Sequence, residues 1–177
     1  MRNEKGIMLL ETVVVVAIVA LVAGAGGMAT FRVITDTERS SNHITAVRQV
    51  QNVGYWVSRD VMESQVIDAD DDPETTDVEF LAFHWSDWED GTTHEIVYTF
   101  HDMTGGLKLL KRQHVVRNID NEELNTIATF IAEGIVSSST LSPQNGAWIL
   151  SIEARAGTEI ETREYKIFPR VEMEVPV

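Results

Sequence analysis

Ile7-Met8-Leu9-Leu10-Glu11-Thr12-Val13-Val14-Val15-Val16-Ala17-Ile18-Val19-Ala20-Leu21-Val22 runs on through Ala23-Gly24-Ala25-Gly26-Gly27-Met28-Ala29-Thr30 to Phe31, twenty-five residues in which Glu11 is the only charge. As a helix rising ~1.5 Å per residue this stretch reaches ~37 Å, more than the ~30 Å hydrocarbon core of a bilayer. A carboxylate inside such a span costs ~2.5 to 3.5 kcal/mol. Twelve Val, Ile, Leu and Phe residues, at about −0.3 to −0.6 kcal/mol each near the centre of a span, offset it. Residues 7–31 are therefore expected to cross a membrane with Glu11 in place, and a buried carboxylate of this kind ordinarily has a partner.

On the C-terminal side, Ala23-Gly24-Ala25-Gly26-Gly27 would weaken a helix in water by up to ~1 kcal/mol per glycine. In lipid, where no water competes for the backbone, the same residues favour close helix packing. Arg32 and the polar residues Asp36 to Asn42 mark the exit from the apolar run. Ile44, Val47, Val50, Val53, Val57 and Val61 then recur at steps of three or four, the stripe of a helix with one buried face. The spacing predicts that residues 32–67 continue the helix, to about Ile67, and pack it on a head domain.

On the N-terminal side stand Arg2, Lys5 and Gly6. A cut after Gly6 would create an α-amino group five residues before Glu11. At ~4 Å and an effective dielectric of ~20 their attraction is ~4 kcal/mol before desolvation is subtracted. A basic leader ending in Gly6, then Ile7, Met8, Leu9, Leu10, Glu11 and a Val/Ala/Ile/Leu helix, resembles the prepilin signature of type IV pilins and type II secretion pseudopilins. The resemblance implies a leader peptide at 1–6, cleavage between Gly6 and Ile7 by a membrane aspartyl peptidase, N-methylation of Ile7, and Glu11 guiding assembly into a helical filament. It also implies a melting or stretching of the glycine-rich part of the helix on assembly. Tyr55-Trp56-Val57-Ser58-Arg59-Asp60-Val61 is similar to a Trp-x-x-Arg-Asp stretch of large minor pilins, including J-type pseudopilins. Read from its residues alone, Trp56 fills a gap in the core while Arg59 and Asp60 are surface charges.

The formal net charge is −14 over 177 residues. Residues 1–31 cancel, so the whole excess lies in 32–177, and such a surface repels nucleic acid and anionic lipid. Direct nucleic-acid binding is not expected. The absence of cysteine excludes a disulfide, a thiol nucleophile and a lipoprotein attachment.

Asp68-Ala69-Asp70-Asp71-Asp72-Pro73-Glu74-Thr75-Thr76-Asp77 stops the helix. Asp68, Asp70, Asp72 and Glu79 fall at positions one, three, five and twelve of a calcium loop, but Pro73 stands where the sharp turn needs glycine. A solvated acidic loop and a calcium site are the two readings, and no other cofactor is indicated. Strand signals follow at Val78–Trp85, Glu95–Phe100 and Leu107–His114, with Asp102-Met103-Thr104-Gly105-Gly106 as a hairpin turn. Asp87–Thr93 reads as an exposed loop carrying Trp88, which is either a contact anchor or a ring packed on the core. Ile127–Ser138 is helix or strand; Trp148–Ala154 and Glu159–Arg170 alternate as strands about Gly157.

The expected fold class is α+β: a long N-terminal helix, its first half transmembrane, packed on an antiparallel β-sheet head formed mainly by 68–177, the architecture that a pilin resemblance also implies. No catalytic constellation is legible. His94 and His101, seven apart, fall on opposite faces of a strand, His43, His84 and His114 are scattered, and no phosphate-binding loop occurs. A non-enzymatic filament subunit is expected, with other pilins or pseudopilins, the prepilin peptidase and the inner-membrane assembly platform as partners. It would start as a single-pass inner-membrane protein with its head outside the cytoplasm and end in a pilus or pseudopilus. The alternative is a secreted binding or adhesion domain whose signal peptide is cleaved near Ala25, after the apolar segment 12–22.

Overall fold

The computed structural model describes residues 4–69, 78–136, 139–144 and 147–168; for 4–9, 78, 141 and 143 it gives the backbone alone. Helix α1 spans Glu4–Glu63 and is followed by β1 (Val66–Asp68), β2 (Val78–Ser86), β3 (Thr93–Asp102), β4 (Leu107–Arg117), β5 (Glu123–Val136), β6 (Thr140–Gln144), β7 (Ala147–Ala156) and β8 (Glu159–Ile167). The α+β class is as expected. The chain divides into two compact units, residues 1–41 and 42–177.

In the first unit no part of the apolar helical window is buried, and it is long and apolar enough to cross a membrane or to serve as a signal sequence. The backbone stays helical through Gly24, Gly26 and Gly27, and a Cβ added at any of them would meet nothing within 4 Å. The hydroxyls in and beyond this run are satisfied within the helix. Thr30 Oγ1 donates to the Gly26 carbonyl at 3.0 Å and Thr35 Oγ1 to that of Phe31 at 3.0 Å, which removes the cost of placing an unpaired hydroxyl in an apolar setting.

In the second unit, residues 42–63 of α1 lie against an eight-stranded antiparallel sheet ordered β1-β2-β3-β4-β5-β7-β6, with β8 on the other side of β7. The valine stripe does what its spacing predicts: Val50, Val53, Val57 and Val61 are all fully buried among Leu81, Phe83, Ile96, Leu110, Ile135, Leu150 and Ile152. Ile44, the first member of the predicted stripe, stays 47% exposed. Gly54 lets the helix come close to β8, since a Cβ there would overlap the ring of Tyr165. That ring is fixed by its hydroxyl, which donates to the Val50 carbonyl at 3.2 Å.

The helix ends at Glu63, short of Ile67. Ser64 N–H still reaches the Asp60 carbonyl at 3.1 Å, but Gln65 N–H donates to the His84 carbonyl at 2.9 Å, and Val66, Ile67 and Asp68 pair with His84, Phe83 and Ala82. Ile67 is buried as the periodicity required, but by a strand, because the edge of β2 offers this segment backbone partners that a further helical turn would leave unpaired. The undecided run after Ile127 is the second half of β5. Its register on β4 shifts between Ile135 and Phe130, around Gly134, where φ is 69° and an added Cβ would stand 2.5 Å from the Arg155 carbonyl oxygen. β6, for which no sequence signal was read, pairs with β7 from Thr140–Ser151 to Gln144–Ala147.

Candidate functional site

Glu11 lies on the exposed apolar part of α1, one turn beyond Ile7. The side chains of Gly6 and Ile7 lie outside the described residues, so their expected roles rest on sequence. In a chain without disulfides, the second unit is instead pinned by a polar cluster at its centre.

Asp60, expected at the surface, is fully buried. Its position on α1, three residues after Val57 and one before Val61, places it on the stripe facing the sheet. There the Arg112 guanidinium meets it through two bonds, Nε to Oδ2 at 2.6 Å and Nη2 to Oδ1 at 3.0 Å. Tyr98 donates its hydroxyl to the same carboxylate. Tyr98 and Arg112 sit directly opposite each other on β3 and β4, so both converge on one point of the helix. Arg59 Nε is 3.6 Å from Asp60 Oδ1, and the Arg59 and Arg112 guanidinium carbons lie 4.6 and 5.0 Å from the Trp56 ring centre, within cation–π range.

The electrostatics follow from burial and pairing. Burial, and then the adjacent Asp60 carboxylate, push the Tyr98 phenol far up, so it stays neutral and donates. Burial alone would lower the Arg112 guanidinium, but its bonds and charge attraction to Asp60 outweigh that and hold it above its usual range. A carboxylate whose lone pairs are taken by a guanidinium and a phenol has little left to offer a substrate. The cluster orients the helix on the sheet. The sequence signal that could have found it was present, since Asp60 continues the valine stripe.

His114, expected to be scattered, is brought beside His94. His94 on β3 and His114 on β4 are diagonal neighbours on one face, with His94 Nδ1 and His114 Nε2 3.1 Å apart. Trp85 stacks on both rings, at 4.7 and 5.6 Å between centroids. Thr92 Oγ1 donates to Asp90 Oδ1 at 2.6 Å, which leaves it to accept from His94 Nε2 at 3.1 Å. His94 Nδ1 then carries the lone pair that accepts the His114 N–H. His94 and His101 do point to opposite faces, His101 lying edge-on to Phe130. Beside the pair is a cleft of about 270 Å³ lined by Gln65, His84, Trp85, Glu95 and Arg117 among others. The Arg117 guanidinium there is held by Glu95, with Arg117 Nη1 2.5 Å from Glu95 Oε2.

The His114 imidazole is held below its ordinary value of 6.5, first by burial, then by the Arg112 and His94 charges, against smaller opposing effects of Asp60 and Glu63. Because the unfolded chain binds the proton more readily, stability is fully present above pH ~6.5 and is lost as pH falls through the lower folded value. Denaturation midpoints measured from about pH 7.5 to about pH 5 should fall with acid, and His114→Gln should flatten that part of the curve; parallel curves for the two proteins would contradict this.

Of the calcium-loop residues, Asp68 ends β1, exposed, and Glu79 is the second residue of β2; Asp70 and Asp72 lie outside the described residues. Among the described residues no group of three His, Cys, Asp or Glu is placed to hold a metal ion. Trp88, on the β2–β3 turn, is 90% exposed, so it is not a core residue. Comparison with protein-family models, curated proteins and solved structures finds no match.

Proposed function

We propose that this protein is a membrane-inserted, non-enzymatic filament subunit of the pilin and pseudopilin kind, processed between Gly6 and Ile7 and assembled through its N-terminal helix. The observation that supports this reading is the placement of Glu11: a single carboxylate near the start of an exposed apolar helix, five residues after a glycine that follows a basic leader. An anchor alone has no use for the carboxylate, which makes insertion harder. A new amine at Ile7, in the same or a neighbouring subunit, gives it a partner. The head, with its acidic excess, meets other subunits outside the cytoplasm, and J-type pseudopilins or large minor pilins are the nearest resemblance through Trp56, Arg59 and Asp60.

Two measurements test it together. Mass spectrometry of the mature chain should find Ile7 at the N-terminus, with or without one added methyl; a terminus at Gly26 would favour the secreted binding domain instead. Glu11→Ala should be processed normally and remain in the membrane fraction, yet enter filaments poorly beside wild-type subunits. It leaves the amine unpaired in an apolar setting, a loss of about 3 to 5 kcal/mol for buried pairs. Assembly at the wild-type level would exclude the role assigned to Glu11.

A further inference from the structure

Among the described residues, strand β5 has a side without a strand partner along most of its length. Toward β4 it is paired from Glu123 to Val136. On the other side the described residues supply one register pair, Ile135 with Ala154, and one capped donor, the Glu133 N–H given to Gln49 Oε1 at 3.1 Å. Every side chain from Glu123 to Phe130 is exposed, and Leu124, Ile127 and Phe130 are 58%, 52% and 60% so. Folded proteins ordinarily blunt an open edge with lysine, proline or shortness. From Leu124 to Ala132 this strand has nine residues without a charge, a proline or a glycine. Its charges stand at the two ends: Asp120, Glu122 and Glu123 before, Glu133 after.

We infer that the open edge of β5 is a docking site for an extended segment of another protein, one that alternates apolar side chains and carries basic residues at its ends. Main-chain hydrogen bonds along the edge would hold such a segment, and side pockets would select it. One pocket is present: a shallow cavity of about 270 Å³ beside Phe130, between Gln49 and Asn52 of α1 and Leu109 of β4. Charge decides against a second copy of this chain. Pairing β5 with itself about Ile127 would set Leu124 against Phe130 of the second copy. It would also place Glu123 diagonal to the second copy's Glu133 at both ends, with a net charge of −14 on each molecule, and like charges across strands oppose pairing.

The test uses the full chain in detergent micelles and fluorescent peptides of about ten residues that alternate valine and threonine between paired lysines or between paired glutamates, with a third peptide copying residues 123–133. Anisotropy and amide hydrogen exchange are read together. The lysine-ended peptide should bind, slow exchange within Leu124–Ile131, and bind roughly tenfold more weakly to Phe130→Lys or Ile127→Lys. Ile127 is 52% exposed, so Ile127→Lys should leave the denaturation midpoint nearly unmoved, whereas Phe130 also meets the His101 ring and its variant is read by binding and exchange. Three results would overturn the inference: no slowing of exchange in β5 with any peptide, equal binding of the lysine- and glutamate-ended peptides, or tightest binding of the chain's own segment, which would make the occupant a second copy.

Discussion

Asp60→Ala is expected to cost about 3 to 5 kcal/mol of stability, because it removes one half of a buried ion pair and leaves the other half charged and unsolvated. Arg112 cannot escape by losing its proton, since a guanidinium stays charged at any pH a protein survives, and it lies 8% exposed. The Tyr98 hydroxyl loses its acceptor in the same step. Tyr98→Phe, which deletes one hydrogen bond to a charged group, should cost less, about 1.5 to 3 kcal/mol. The decisive comparison is the double variant Asp60→Ala with Arg112→Leu. If the pair is the reason for the loss, the double variant should be more stable than Asp60→Ala alone, with a coupling in the cycle well above 1 kcal/mol. Urea denaturation followed by tryptophan emission is suitable, as Trp56 lies against the cluster. A loss under about 1 kcal/mol for Asp60→Ala would show that the helix is held by the valine stripe alone.

Gly134→Ala should cost about 2 to 5 kcal/mol, from two separate sources. A left-handed backbone conformation penalises an alanine by ~1 to 2 kcal/mol, and forcing a methyl group against a packed neighbour adds ~1 to 3 kcal/mol. The neighbour here is the Arg155 carbonyl oxygen, 2.5 Å from the new Cβ; this backbone, near the end of β7 and paired with Ile160 of β8, cannot swing aside as a side chain could. Gly134 directly precedes Ile135, whose pairing with Ala154 joins β5 to β7. Hydrogen exchange in β7 near Ala154 should therefore quicken more than exchange in β3. Gly157→Ala is the control. Its φ of 57° is also left-handed, but the atoms in the way belong to the Asn42 side chain, which can rotate, so the loss should stay near 1 kcal/mol. Equal losses at the two positions would remove the argument from the close approach at Arg155.

The order of residues was enough to read α1, from the uncharged run and the valine stripe, to read β2, β3 and β4 from their aromatic and β-branched residues and the turn at Gly105, and to read β7 and β8 from their alternation about Gly157. These are local properties: a period of 3.6 or 2, and glycines where φ must be positive, act over a few residues and leave their mark on those same residues. Which partner closes the helix at Glu63, where the long strand shifts register, and whether Asp60 faces water or Arg112 are not local. Arg112 stands 52 residues from Asp60 in sequence, and His114, expected to be scattered, meets His94 because the register of β3 on β4 sets them on one face. A lone aspartate in a helix looks the same in sequence whether it is solvated or paired. The difference is made by an opposing strand, whose register is a sum of many weak pairings and appears nowhere in the helix itself.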